Sequence, residues 1–128
     1  MQRMKDITTL HLASIAAYSG PHAIPGIRFR PARAALGVSS WGMNVLELDA
    51  GCEAYPEHEH TKDGQEEVYF VVRGSGELVA AAERIALTEG TFVRVAPSVT
   101  RKILPGPDGI VVLAIGGTPG KPFEPTIA

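Results

Sequence analysis

The chain has 128 residues, 45% hydrophobic and 20% charged, with a formal net charge of -2, which is the size and composition of one globular domain carrying no field that would draw in nucleic acid or an anionic membrane. Aromatic residues make up only 6% and are not interleaved with basic stretches, so a nucleic-acid partner is disfavoured. Cys52 is the single cysteine, which excludes an internal disulfide and a disulfide-stapled secreted fold.

Met1 to Lys5 is polar and charged, and the apolar run from Leu10 to Tyr18 is broken by His11 and Ser14. That run is too short to span a bilayer, and no basic leader precedes a long apolar core. The chain therefore reads as cytoplasmic, with no membrane partner. Within Thr8 to Tyr18, Leu12, Ile15 and Ala16 have helix-like spacing, and this segment is expected to be helical or irregular within an N-terminal extension of about residues 1–25. Ile24 to Phe29 reads as an edge strand whose open side needs a partner. Arg28 and Arg30 alternate along it and are expected on a solvated face. His11 and His22 receive no role.

Beyond this point 14 glycines and 10 prolines divide the chain into short apolar runs. The clearest are Met43 to Leu48, Val68 to Val72, Thr91 to Val95 and Ile110 to Ile115. Each is rich in β-branched or aromatic residues and reads as a strand. Gly74-Ser75-Gly76, Pro105 to Gly109 and Gly116-Gly117 are expected to be the turns between them. Many short strands with such punctuation indicate an all-β sandwich or barrel in one domain, residues 1–128. Trp41 and Met43 are expected to pack in the barrel or in a subunit interface, and Cys52 to be a buried, inert thiol. The tail of about residues 118–128, with its prolines, is expected to run irregularly over the surface.

The chemistry is concentrated between Gly51 and His60. His58 and His60 are two apart, so on an extended strand both imidazoles point to one face. Thr61 to Glu66 reads as a hairpin loop with its turn at Asp63-Gly64. On the following strand Glu67, Tyr69 and Val71 share a face, and pairing with the histidine segment would bring Glu67 beside the imidazoles. Two histidines and one carboxylate suit Fe, Mn, Ni or Zn as the divalent ion, with positions left for water or substrate.

These residues resemble the first motif of the cupin superfamily, G-x5-H-x-H-x3,4-E-x6-G. The matching positions are Gly51, His58, His60, Glu67 and Gly74; six residues stand between Gly51 and His58 and six between His60 and Glu67, each more than the pattern has. The second motif, G-x5-P-x-G-x2-H-x3-N, falls on Gly90, Ala96, Ser98, Arg101 and Pro105, so only its first glycine survives, with Pro97 one place along. The two motif regions span residues 51–105. The resemblance implies a double-stranded β-helix, or jelly-roll, barrel that is commonly a homodimer, with His58, His60 and Glu67 as metal ligands.

Arg101 stands where such proteins carry a fourth ligand, and a permanently charged guanidinium cannot ligate a metal. Two arrangements remain open. In one, the triad holds a metal and Arg101 points away or binds an anionic substrate, with Tyr69 as a pocket hydroxyl and candidate proton donor. In the other, Arg101 pairs with Glu67 and the pocket holds no metal. At ~4 Å and an effective dielectric of about 20, a divalent cation and Arg101 repel by several kcal/mol, which is less than metal affinities in structural sites. Lys102 should face away from Arg101. The functional expectation is a barrel binding a small anionic molecule, either as a metal-dependent dioxygenase or isomerase or as a metal-free binding module.

Overall fold

The four apolar runs all become strands, because each alternates side chains between two faces, one of them turned to the core. The computed structural model describes residues 2–3 and 6–125. Along the chain come β1 (Gln2–Arg3), β2 (Thr8–Thr9), β3 (Ile27–Arg30), α1 (Ala32–Leu36), β4 (Gly42–Leu48), β5 (Glu66–Ala80), β6 (Glu83–Leu87), β7 (Phe92–Val95) and β8 (Arg101–Gly117). β1 and β2 form a small ribbon of their own. The others make one antiparallel sheet in the order β3-β4-β8-β5-β6, with β7 also on β5. This is the all-β, jelly-roll barrel expected from the sequence.

Two of the expected turns are instead the bends of long strands. Gly74 to Gly76 lies inside β5 and Pro105 to Gly109 inside β8. The two stretches face each other, with Gly74 opposite Ile110 and Gly76 opposite Pro105, and the pairing register slips between Gly74 and Gly76. The first part of β5 thus pairs with the last part of β8, and the last part of β5 with the first part of β8. Bulges at matching places bend both strands together and curl the sheet around its core. Glycine is required at these bends: Gly74 has φ 77°, and a Cβ there would stand 2.3 Å from the Gly109 carbonyl oxygen. Gly116-Gly117 also lies within β8, at its end.

The inner face carries the main core, which includes Leu46, Leu48, Tyr69, Val71, Leu78, Ile103 and Val112. A second cluster sits on the outer face, where Ile15 and Ala32 cover Val45 and Val111. This second cover explains why β4 is buried on both faces over its last four residues. It also decides between the helical and irregular readings of Thr8 to Tyr18 in favour of the irregular one. That segment holds β2 and a single 3-10 turn, Leu12–Ser14, capped by His11 Nδ1, which accepts from the Ala13 N–H at 3.0 Å. The helix-like spacing of its apolar residues reflects a strap anchored by Ile15 on the outer cluster. The α-helix lies instead at Ala32–Leu36, after Pro31 and before Gly37, which ends it at φ 81°, the usual proline-before, glycine-after punctuation.

Arg28 is exposed, as expected, but Arg30 is half-buried. Both donate to the buried Glu47 carboxylate, Nε to Oε1 at 3.0 and 2.8 Å, and Arg73 lies 3.6 Å from its other oxygen. Burial works to raise the Glu47 carboxyl, but the guanidinium hydrogen bonds outweigh it and hold the group below its ordinary value. β3 is an edge strand as expected. Met43 packs against the outer cluster, while Trp41 is largely exposed. Cys52 is half-buried rather than buried, with Sγ 3.9 Å from the Pro25 carbonyl oxygen. The tail is irregular through residue 125, but Phe123 folds back against Gly42; residues 126–128 lie outside the described residues. Among the described residues no helix is long and apolar enough to cross a membrane.

The bends yield a measurable contrast. Gly51 also has a positive φ, 78°, but a Cβ there would meet nothing within 4 Å. Gly51→Ala is expected to cost about 1 kcal/mol from backbone conformation alone, and Gly74→Ala at least about 3 kcal/mol because the clash with Gly109 adds to it. Denaturant unfolding of both variants checks this, and equal losses would show that the bend tolerates a side chain.

Candidate metal centre

The histidine segment is not a ladder strand. It is extended backbone fixed by one bridge between His58 and Arg101, with N–H to O distances of 3.0 and 2.9 Å, and by the His60 N–H donating to the Pro97 carbonyl at 2.7 Å. The expected hairpin with β5 is absent among the described residues, since β5 pairs with β6, β7 and β8. Residues 61–64 still turn, closed by the Gly64 N–H on the His60 carbonyl at 2.7 Å. Glu67 reaches the histidines by projecting from β5 into the barrel interior.

The three expected ligands converge. Glu67 Oε1 lies 3.5 Å from His58 Nε2 and 3.3 Å from His60 Nε2, and one ligand atom from each residue falls within 4.8 Å of the others. The outer imidazole nitrogens settle what faces inward. His58 Nδ1 is 3.0 Å from the Pro56 carbonyl, and His60 Nδ1 is 3.1 Å from both oxygens of Asp63. Those partners only accept, so each Nδ1 carries a proton and each Nε2 is turned toward Glu67, where it can donate to the carboxylate or offer a lone pair to a cation. Asp63 holds its place by accepting from the Gln65 N–H, and that bond and His60 keep its carboxyl low against the opposing effect of burial. Two imidazole Nε2 atoms and a carboxylate oxygen at this separation attract a cation between them, either a proton or a metal ion. Imidazoles oriented by a carbonyl and a carboxylate are the usual outer support of metal ligands, so the donor set fits a divalent ion.

Arg101 and Tyr69 stand behind Glu67. Arg101 is fully buried. Its Nη2 donates to Glu67 Oε1, its Nε to the Tyr69 hydroxyl at 3.3 Å and its Nη1 to the Val99 carbonyl at 2.9 Å. The Tyr69 hydroxyl donates to Glu67 Oε1 at 2.9 Å. Burial acts to raise the Glu67 carboxyl, but hydrogen bonds from His58, Arg101 and Tyr69 overcome it and bring it to about 2. The opposite holds for Tyr69: burial, then the Glu67 charge, push the phenol up to about 12. Lys102 is half-buried beside Arg101 on β8.

A cavity of about 400 Å³ opens in front of this cluster. His58, His60 and Glu67 belong to its wall, together with Asn44, Ile24, Phe29 and Phe123. Neither Arg101 nor Tyr69 is among its lining residues. Sequence reasoning missed Asp63, taken only as a turn former, and Tyr55, which is buried with its ring centroid 5.7 Å from that of His58. Asn44 and His22 were also missed as wall residues. Nothing in their local sequence marks them, because the tail, the N-terminal segment and β4 meet only in the folded chain.

No protein-family model and no curated protein matches the sequence. Solved structures do. The fold superposes on a cupin protein from Bacteroides fragilis with a TM-score of 0.71 and 24% identity, covering 97% of this chain and 94% of that one. A sugar phosphate isomerase of the cupin superfamily from Silicibacter pomeroyi gives 0.70 and 22%, covering 85% and 74%. A predicted oxalate decarboxylase from Thermotoga maritima gives 0.65 and 15%, covering 85% and 97%. The chain is a small protein of cupin fold. Its particular mark within that fold is an interior His-His-Glu group with an arginine, rather than a fourth ligand, behind the carboxylate.

Two variants test this wiring. Arg101→Met leaves Glu67 buried without its guanidinium and is expected to cost about 3 kcal/mol, with Arg101→Lys recovering part of the loss. For pH, a carboxyl at about 2 when folded and near its ordinary value of 4.5 when unfolded stabilises the fold fully above 4.5 and loses that contribution as pH falls toward 2. The Tm of metal-free protein should therefore decline from pH 4.5 downward, and the decline should be shallower in Glu67→Gln. Parallel pH curves for the two proteins would show that Glu67 is not held low.

Proposed function

We propose that the barrel binds a small anionic molecule in its cavity, against a divalent transition metal held by His58, His60 and Glu67. The observation that supports this reading is the convergence of two Nε2 atoms and one carboxylate oxygen, each locked from behind by a separate hydrogen bond. A metal bound there would polarise a carbonyl or activate dioxygen, and we read the protein as a metal-dependent enzyme of dioxygenase or isomerase type. Several cupin-fold neighbours are named as enzymes, among them the isomerase above.

The chain's own residues divide the work. His58 and His60 supply neutral donors, and Glu67 supplies one negative charge. Arg101 and Tyr69 are positioning residues, since both bond to Glu67 and neither lines the cavity. Because the Arg101 and Glu67 charges cancel and Asp63 behind His60 offsets only one unit, a divalent ion keeps uncompensated positive charge in a partly apolar cavity. An anionic ligand head supplies the balance. Without a metal the pair is neutral and the cavity has no comparable claim on an anion, so ligand charge separates this reading from that of a metal-free binding module.

We also propose a homodimer in the cytoplasm. The strap covers only part of the outer sheet face. Beyond it Phe70 and Phe92 stack with centroids 4.4 Å apart, and Phe92 is 71% and Val72 39% exposed. An exposed apolar patch of this kind beside an open strand edge marks an association surface.

Metal analysis decides the first proposal. Purified protein is expected to bind one equivalent of Co(II) or Ni(II) with a visible absorption band and a rise in Tm. His58→Ala and His60→Ala should each abolish both. Absence of any shift with Fe(II), Mn(II), Ni(II) and Zn(II) would leave the metal-free module as the reading. Light scattering is expected to give a dimer, converted to monomer by Phe92→Glu; a monomeric parent chain would remove the dimer.

A further inference from the structure

The cavity wall is selective beyond the metal-binding end. Across the sheet, Glu67 on β5 faces Gly116 on β8, and Gly116 faces Gly42 on β4. In the next inward row Tyr69 faces Ala114, and Ala114 faces Asn44. Between the Glu67 carboxylate and Asn44 the floor is therefore glycine and alanine, and Gly42, Gly116 and Ala114 all line the cavity. Adjacent strands lie about 4.8 Å apart, so β5 and β4 are separated by about 10 Å. A flat group can rest on that floor with one end at the histidines and the other toward Asn44.

At the far end Asn44 Oδ1 is buried without a hydrogen-bond partner. A buried acceptor left unpaired is costly and calls for a donor. Around the floor stand Ile24, Ile27, Phe29, Leu46 and Phe123. Among the described residues the lining includes no lysine and no arginine; its charged members besides Glu67 are Asp63 and Glu124, both acidic. Away from the metal-binding end a phosphate or second carboxylate would be desolvated with no cation to meet it, and sugar hydroxyls over the floor would face mostly isoleucine and phenylalanine.

We propose that the ligand is a small monoanion with three parts: one oxygen head at the metal, a flat apolar body over Gly116 and Ala114, and a hydrogen-bond donor at the opposite end for Asn44 Oδ1. Sugar phosphates are rejected by the same wall. For its head group the proposal rests on the metal reading above; for body and donor it rests on the wall alone.

The test is calorimetric titration of the full chain loaded with Ni(II), using 4-hydroxyphenylacetate, phenylacetate and ribose 5-phosphate as probes. The hydroxylated acid is expected to bind about fivefold tighter than phenylacetate, and phenylacetate at least roughly tenfold tighter than ribose 5-phosphate. Asn44→Leu should erase the difference between the two aromatic acids while leaving phenylacetate within about twofold of its original affinity, a result that loss of folding would not produce. Ribose 5-phosphate binding as tightly as phenylacetate overturns the proposal, as does an Asn44→Leu variant that keeps the hydroxyl preference. Failure of both aromatic acids to bind at millimolar concentration overturns it too. Nickel stoichiometry, measured first, isolates the metal reading. If no nickel binds, that reading fails by itself, and the same three probes on the metal-free chain still report the wall, with 4-hydroxyphenylacetate ahead of ribose 5-phosphate supporting the proposal and the reverse order overturning it.

Discussion

A carboxylate taken out of water keeps its charge only if the protein surrounds it with donors, and the Glu67 carboxylate is surrounded. One oxygen accepts from Arg101 and Tyr69 and lies at contact distance from both imidazoles. Each of those partners is in turn held by backbone or by another side chain: Arg101 by Val99, His58 by Pro56 and His60 by Asp63. The network joins β5, the start of β8 and the histidine segment, three parts of the chain with no other reason to meet at one point. Arg101 balances Glu67, so the pair can be buried, and both imidazole Nε2 atoms face its open side, so it can take a cation. Structural and ligand-binding demands are met by the same groups.

That network needs a frame that brings β5 and β8 together over their whole length while still curling around a core. Two straight strands of 15 and 17 residues could not do so. The facing bends at Gly74–Gly76 and Pro105–Gly109 resolve this, because bulges at matching positions let both strands change direction without losing the ladder on either side. The early part of β5, carrying Glu67 and Tyr69, then lies beside the late part of β8, and Arg101 at the other end of β8 returns to the same place from across the barrel. The small residues Gly42, Ala114 and Gly116 leave room in front of Glu67, which turns a core into a cavity.

The two faces of the sheet serve different ends. Inside, apolar packing gives way near β4 and β8 to a space with one polar end and one unpaired amide oxygen. Outside, a strap anchored by Ile15 and a short helix cover one half, and Glu47 gathers Arg28, Arg30 and Arg73 beside it. The remaining half keeps Phe92 and Val72 exposed.

The sequence alone determined the four main strands, the all-β class and the three ligand-type residues, because alternation of side chains along a strand and the His-x-His spacing are local properties that survive in any fold that uses them; the barrel came from the resemblance to the cupin motif. The sequence also raised the question of Arg101, since a guanidinium at a ligand position is conspicuous in one dimension. It could not answer that question. Whether Arg101 faces the cavity or backs the carboxylate depends on where β8 crosses β5, a matter of register over 34 residues of separation. The same reason explains the other errors. Glycine and proline clusters mark turns and bulges alike, and only the partner strand decides which; Arg30 looks solvated until Glu47 is placed beneath it. Asn44, Asp63 and Phe123 became part of the site through tertiary contact alone, because a cavity wall is assembled from segments that share no local pattern.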